Sequence, residues 1–324
     1  MNLSGEEKFF GIECNVAGTK FSELRKVTFG KMLVNQIFAI LVNIILIILA
    51  LILNVVPIIT IWRSSQLRSK PCYFIILMQS VIDLAVGVLA IPLFVTFMIS
   101  LLDKTSNCLL AILTLRGTVI LITFSVFTII AMTAERYIAI LHPYAYPTLV
   151  TKKRLVKFVC SCIVVNSAVT VLSFSLDDRY VKIYASAITL ISVIFIVFAY
   201  TRIYLVVRRL SRSERRAHDS SSEGNTTRRK VLLQEIKQAK SCFIVVICFF
   251  ALCLFPVVAI QSVFKSLDKF ENLAFFIWVF TLSLSVSIAD SVIFFWTKKI
   301  LRKEAVKILN TIGLCLSSNN HDTH

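Results

Sequence analysis

Long apolar runs, separated by short polar or basic stretches, organise this chain. Seven runs are read, near Gln36 to Trp62, Cys72 to Met98, Cys108 to Leu141, Phe158 to Phe174, Ile183 to Val207, Lys240 to Phe264 and Leu273 to Trp296. A helix rises about 1.5 Å per residue and a bilayer core is about 30 Å thick, so runs of this length cross it. The pattern therefore predicts an all-α membrane protein with a seven-transmembrane helix bundle over residues 34–297. Residues 1–33 read as a short N-terminal tail, and residues 298–324 as an amphipathic helix and tail. In that last segment Lys298, Lys299, Arg302, Lys303 and Lys307 interleave with Ile300, Leu301, Ala305, Ile308 and Leu309, a spacing that suits a helix lying on an anionic lipid surface.

Composition agrees with this reading: 57% of residues are hydrophobic and the mean hydropathy is +0.82, outside the range of soluble domains. The formal net charge of +17 could suggest nucleic acid, but the bases are not gathered with stacking aromatics on a polar surface, and no nucleic-acid partner is expected. They collect instead in the connections at 63–70 and 152–157, in residues 208–238 and after residue 297. Bases concentrate on the cytoplasmic side of membrane proteins, so the N-terminus is expected outside, with Asn2 of Asn2-Leu3-Ser4 as a glycosylation acceptor. No cleavable signal is evident in the first thirty residues. Nine cysteines show no metal-ligand spacing, and all four histidines, 142, 218, 321 and 324, lie outside the spans, which argues against an intramembrane metal enzyme. A transporter would favour broken helices at matching places in two halves, and no repeat is visible.

Chemistry inside the spans is sparse and therefore informative. Asn54 is a lone amide in the first run, and Asp83 sits near the middle of the second, where a carboxylate costs about 2.5–3.5 kcal/mol to insert. Glu135 and Arg136 close the third run, at the water boundary where such a pair is cheapest.

Glu135-Arg136-Tyr137, followed by apolar residues and His142-Pro143, resembles the inner end of the third helix in rhodopsin-like (class A) G-protein-coupled receptors. The order Leu67-Arg68-Ser69, Tyr73-Phe74, Asp83-Leu84, Gly87, Pro92 is similar to the family's second helix. Phe249-Phe250-Ala251-Leu252-Cys253-Leu254-Phe255-Pro256 resembles its sixth-helix element, with Leu254 in place of Trp. Asp290-Ser291-Val292-Ile293-Phe294 is a reduced form of the seventh-helix motif that keeps Asp and loses Pro and Tyr. The missing fifth-helix proline, with Ser192 in its place, and the very short second outer loop look like the melanocortin, cannabinoid, lysophospholipid and adenosine branch.

The resemblance implies a plasma-membrane receptor, not an enzyme. It would bind an extracellular small molecule, lipid or peptide and act on a heterotrimeric G protein, with arrestin as a further partner; the alternative is a non-coupling decoy or scaffold. Coupling and switching would rest on Glu135, Arg136, Tyr137, Tyr200, Phe250, Leu254, Pro256, Asp290 and Phe294, with the inner half of the sixth helix swinging about the Pro256 kink. Ile236 stands where many relatives carry a second latch carboxylate, with Glu235 one residue away, so basal activity is expected. The ligand pocket would include Arg116, Thr118, Leu254 and Leu284. Thr118 replaces the Asp of amine receptors and Leu284 the retinal lysine of opsins, so neither ligand is expected; Arg116 suggests an anionic or lipid-like one. Asp83, Ser125, Ser287 and Asp290 would form a sodium site, or one of the two carboxyls would take a proton instead; Val286 replaces the usual amide, and no other cofactor is expected. Cys14 and Cys108 are the two cysteines on the outer side, the second outer loop having none, and are expected to form an atypical bridge; Cys315 is a candidate for palmitoylation.

Overall fold

In a computed structural model the chain is an all-α membrane-type bundle, apart from two hairpins of two-residue strands near the N-terminus. The structure describes residues 8–9, 12–13, 15–16, 19–20, 31–103, 105, 107–172, 178–217, 243–244, 246–248, 250–254 and 269–319. Asn2, Cys14, Glu235, Ile236 and Pro256 lie outside them, as do the side chains of Leu254, Phe294 and Cys315, whose helical backbones are described.

The first helix is Lys31–Arg63 and runs unbroken through the buried Pro57. The second is Pro71–Leu102, opened by a proline at its first position, where the missing N–H would have had no partner anyway. Cys108–Leu141 is the third helix, and Asn107 caps it by accepting the N–H of Leu110 at 2.9 Å. The fourth is Lys152–Leu172 and the fifth Asp178–Ala217, which continues past the bilayer length into the polar inner segment. The seventh helix is Lys269–Thr297, and the eighth, Lys299–Asn319, follows at once. Five of the described helices are long and apolar enough to cross a membrane.

Two π-turns precede prolines of the sequence. A π-turn spans Val86–Ala90 just before Pro92, and another spans Phe250–Leu254, two residues before Pro256 in the sequence. A proline ring clashes with the carbonyl four residues back and offers no N–H to it, so the preceding turn widens to find other partners. The turn in the second helix also brings it close to the first: a Cβ on Gly87 would come within 2.7 Å of the Ala50 methyl.

The first helix turns an apolar flank outward, with Phe38, Leu41, Ile45, Ile48 and Ile52 all exposed, as a lipid-facing helix should. Its other flank carries amides that face the seventh helix. Trp278 Nε1 donates to Asn35 Oδ1 at 2.8 Å, Asn43 Nδ2 donates to Thr281 Oγ1 at 2.9 Å, and Asn54 Nδ2 donates to the Ser287 carbonyl at 3.3 Å. Ser291 returns a hydrogen bond to Asn54 Oδ1. Lipid tails are as apolar as Leu, so packing and interhelical hydrogen bonds such as these must hold neighbouring helices together.

The interior has two apolar halves. One gathers Ala39, Phe94, Phe97, Met98, Leu101, Leu273 and Phe276 toward the outer ends of the helices. The other gathers Ile61, Tyr73, Ile76, Ile129, Met132, Ile203 and Leu301 toward the inner ends. A polar layer containing Asn54, Gln79, Asp83, Ser125, Thr128, Ser287 and Asp290 lies between them, all buried.

Candidate functional site

The inner end of the third helix carries a closed ion pair. Glu135 and Arg136 are each 2% exposed, although the sequence places them at the water boundary. Arg136 Nε and Nη2 donate to the two carboxylate oxygens of Glu135, the bidentate arrangement that a planar guanidinium favours. A third group joins them. Tyr146 opens a short helix, Tyr146–Leu149, in the connection that follows, with Pro147 beside it to set the first turn. Its hydroxyl donates to Glu135 Oε1 at 2.6 Å. Burial first, then the charge and the hydrogen bond of Glu135, push the Tyr146 phenol far above its ordinary range, while Arg136 opposes the shift. Removing one partner of a buried pair strands a charge, so the extra donor strengthens the whole unit.

Tyr146 was not singled out in the sequence. The available signal was a tyrosine ten residues beyond Arg136, in a short stretch between the third and fourth runs. Nearby, Tyr137 is half-buried, with its ring centroid 6.2 Å from both His142 and Phe198. Tyr200, at the inner part of the fifth helix, is buried and packs on Phe243 of the sixth segment at 5.1 Å. Phe250 is half-buried in the π-turn of that segment.

The two intramembrane carboxylates do come together, and a side chain absent from the expected set joins them. Gln79 lies one helical turn inward of Asp83 and is fully buried. Its Nε2 donates to Asp83 Oδ1 at 3.1 Å, to Asp83 Oδ2 at 3.2 Å and to Asp290 Oδ2 at 3.1 Å. Thr128 of the third helix donates its hydroxyl to Gln79 Oε1. One carboxamide thus links the second, third and seventh helices. Asp290 Oδ1 is buried and has no hydrogen-bond partner among the described residues.

Beside this cluster is a small cavity lined by Asp83, Ser125, Leu284 and Ser287, with Val86, Ile122, Ser283 and Val286 completing the wall. The family resemblance implies sodium here, and the residues fit it in part. Asp83, Ser125 and Ser287 present the oxygen donors that a hard cation takes. Asp290, the fourth expected ligand, does not line the cavity; it is turned to Gln79.

Of the expected ligand-pocket residues, Thr118 is 1% exposed and its hydroxyl has no partner among the described residues. Arg116 is half-buried, and two helix positions are about 200° apart, so it points away from Thr118. Leu284 is fully buried in the cavity wall. Cys108 carries a disulfide, and the first strand, Lys8–Phe9, packs against the helix that Cys108 begins; Cys14 lies outside the described residues. Cys160 is exposed, and Cys72, Cys162 and Cys248 are half-buried.

Comparison with known proteins follows the same geometry. The family model described as "7 transmembrane receptor (rhodopsin family)" matches residues 53–182, the stretch holding Asp83, Glu135, Arg136 and Tyr146. The chain is similar to the adenosine receptor A2a of Cavia porcellus, at 27% identity over 66% of this chain and 58% of the relative. It is also similar to the human adenosine receptor A2a, at 33% identity over 38% of this chain and 29% of the relative. The cannabinoid receptor type 1B of Takifugu rubripes is 25% identical over 79% of this chain and 59% of the relative. The chain thus spans less than two thirds of the length of these relatives.

Proposed function

We propose that this chain is a rhodopsin-like seven-transmembrane receptor and that it relays an extracellular ligand signal to a heterotrimeric G protein across the plasma membrane. The observation that carries the proposal is the buried Glu135–Arg136 pair held by Tyr146. A receptor needs an inner element with two arrangements whose balance both faces can bias. In the closed arrangement Arg136 is held by Glu135 through Nε and Nη2. In the open one the inner half of the sixth helix moves outward about Pro256, and Arg136 and Tyr200 line the space a G-protein helix enters.

The N-terminus faces outward in this reading. The names of the relatives, adenosine and cannabinoid receptor, favour a small-molecule or lipid-like ligand. A sodium ion at Asp83, Ser125 and Ser287 would favour the closed arrangement, and arrestin would read the serines of the inner segments.

Guanine-nucleotide exchange by purified receptor and each class of G protein, with no ligand added, tests the proposal. Glu135→Gln weakens the latch, and each 1.4 kcal/mol removed from the closed state shifts the balance about tenfold; basal exchange should rise severalfold, and Arg136→Ala should abolish it. Silence of both wild type and Glu135→Gln with every class, at confirmed surface expression, would overturn coupling and leave a non-coupling decoy or scaffold.

A further inference from the structure

Two buried carboxylates on different helices ordinarily need a shared cation or a shared proton to sit together. Asp83 and Asp290 sit together around a carboxamide instead. Gln79 Nε2 lies within 3.2 Å of three of their four oxygens, and among the described residues Asp290 is engaged through one oxygen. An amide nitrogen has two hydrogens, so three such contacts require one of them to be shared between two oxygens. That places the nitrogen where a cation bridging both residues would have to lie. The acceptor end is engaged as well, because Thr128 donates to Gln79 Oε1.

We infer that Gln79 is an ion-excluding clamp: its amide takes the bridging position between Asp83 and Asp290, so a cation at this level of the bundle is held through Asp83 alone. Three observations meet in this assignment. The cavity touches Asp83, Ser125 and Ser287 and does not touch Asp290. Asp290 is bound through Oδ2 to the amide. Gln79 is fully buried, so water cannot stand in for it at low cost. The clamp also means that ion occupancy beside Asp83 reaches the seventh helix only through the amide, which makes Gln79 a positioning residue for the switch. This signalling consequence rests on the receptor reading; the clamp itself does not.

The test therefore reads stability of the whole purified receptor and needs no G protein. The unfolding midpoint is followed as sodium chloride replaces choline chloride at constant ionic strength, in wild type, Asp83→Asn, Asp290→Asn and Gln79→Ala. Ion held by Asp83 alone predicts that Asp290→Asn, whose side-chain carbonyl can still accept from Gln79, keeps the wild-type sodium response, while Asp83→Asn loses it. Gln79→Ala opens the bridging position; its midpoint should fall in choline and rise in sodium more steeply than wild type, and adding Asp290→Asn should cancel the extra rise. A sodium response lost in Asp290→Asn would overturn the inference, as would a Gln79→Ala response no larger than wild type. If Gln79→Ala does not fold in choline, Gln79→Leu, which fills the space without a donor, replaces it. Loss of the sodium response in Asp290→Asn overturns the inference without either variant.

Discussion

Tyr146 shows how one hydroxyl can change the meaning of a motif. Glu135 and Arg136 are adjacent in sequence and would pair in any case, but Tyr146 gives the carboxylate a second donor from a different segment. A hydrogen bond to a charged group is worth about 1.5–3 kcal/mol. Tyr146→Phe should therefore lower the unfolding midpoint and raise basal nucleotide exchange, and exchange equal to wild type would show that Tyr146 is no part of the latch. The same contact has a pH signature. The folded phenol binds its proton more tightly than the unfolded one, so its contribution is complete below the ordinary tyrosine pKa and declines as pH rises above about 10. Absorbance titration at 295 nm should give equal phenolate amplitudes for wild type and Tyr146→Phe until the receptor unfolds; an earlier excess in wild type would contradict the burial described here.

At the level of elements, the contact between the first two helices depends on a missing side chain. The Ala50 methyl is backed by its own helix and cannot swing aside as the tip of a long side chain could. Gly87→Ala should therefore force the helices apart or disturb the π-turn, at about 1–3 kcal/mol. A lower unfolding midpoint and reduced surface expression are expected, and recovery of both on adding Ala50→Gly would identify the clash as the cause. The amide rungs from Asn35, Asn43 and Asn54 to the seventh helix stand beside this contact. They hold a helix whose inner motif has lost its proline, and Asn54 reaches it through Ser287 and Ser291, on either side of Asp290.

At the scale of the whole molecule, the N-terminal segment is docked on the third helix. Cys108 is bonded, and the Lys8–Phe9 strand packs against its helix. We propose Cys14 as the partner, which would close a long loop and stabilise the fold by about 2–4 kcal/mol. Mass mapping of non-reduced protein should recover a peptide joining Cys14 and Cys108, and reduction should lower the unfolding midpoint. Free thiol at Cys14 in intact protein would remove the pairing.

The apolar runs by themselves determined the class of fold, because length and hydropathy decide what can cross a bilayer without reference to any neighbour. The third helix, Cys108–Leu141, was legible to its end residues, since charge and His-Pro stop it where apolar sequence stops. Asp83 and Asp290 were legible for a related reason, since an ionisable group at membrane depth is costly wherever it points, and Glu135 and Arg136 were legible as the charged pair that closes the third run. Their partners were not. Gln79 and Tyr146 are unremarkable residue types for their local stretches, and which helices they join depends on how the bundle is packed. The direction of Asp290 was decided the same way, toward an amide rather than into the cavity beside Asp83. Hydropathy acts through the solvent and can be summed along a chain, whereas a hydrogen bond exists only when two particular atoms meet within about 3 Å, and that meeting is a property of the tertiary structure alone.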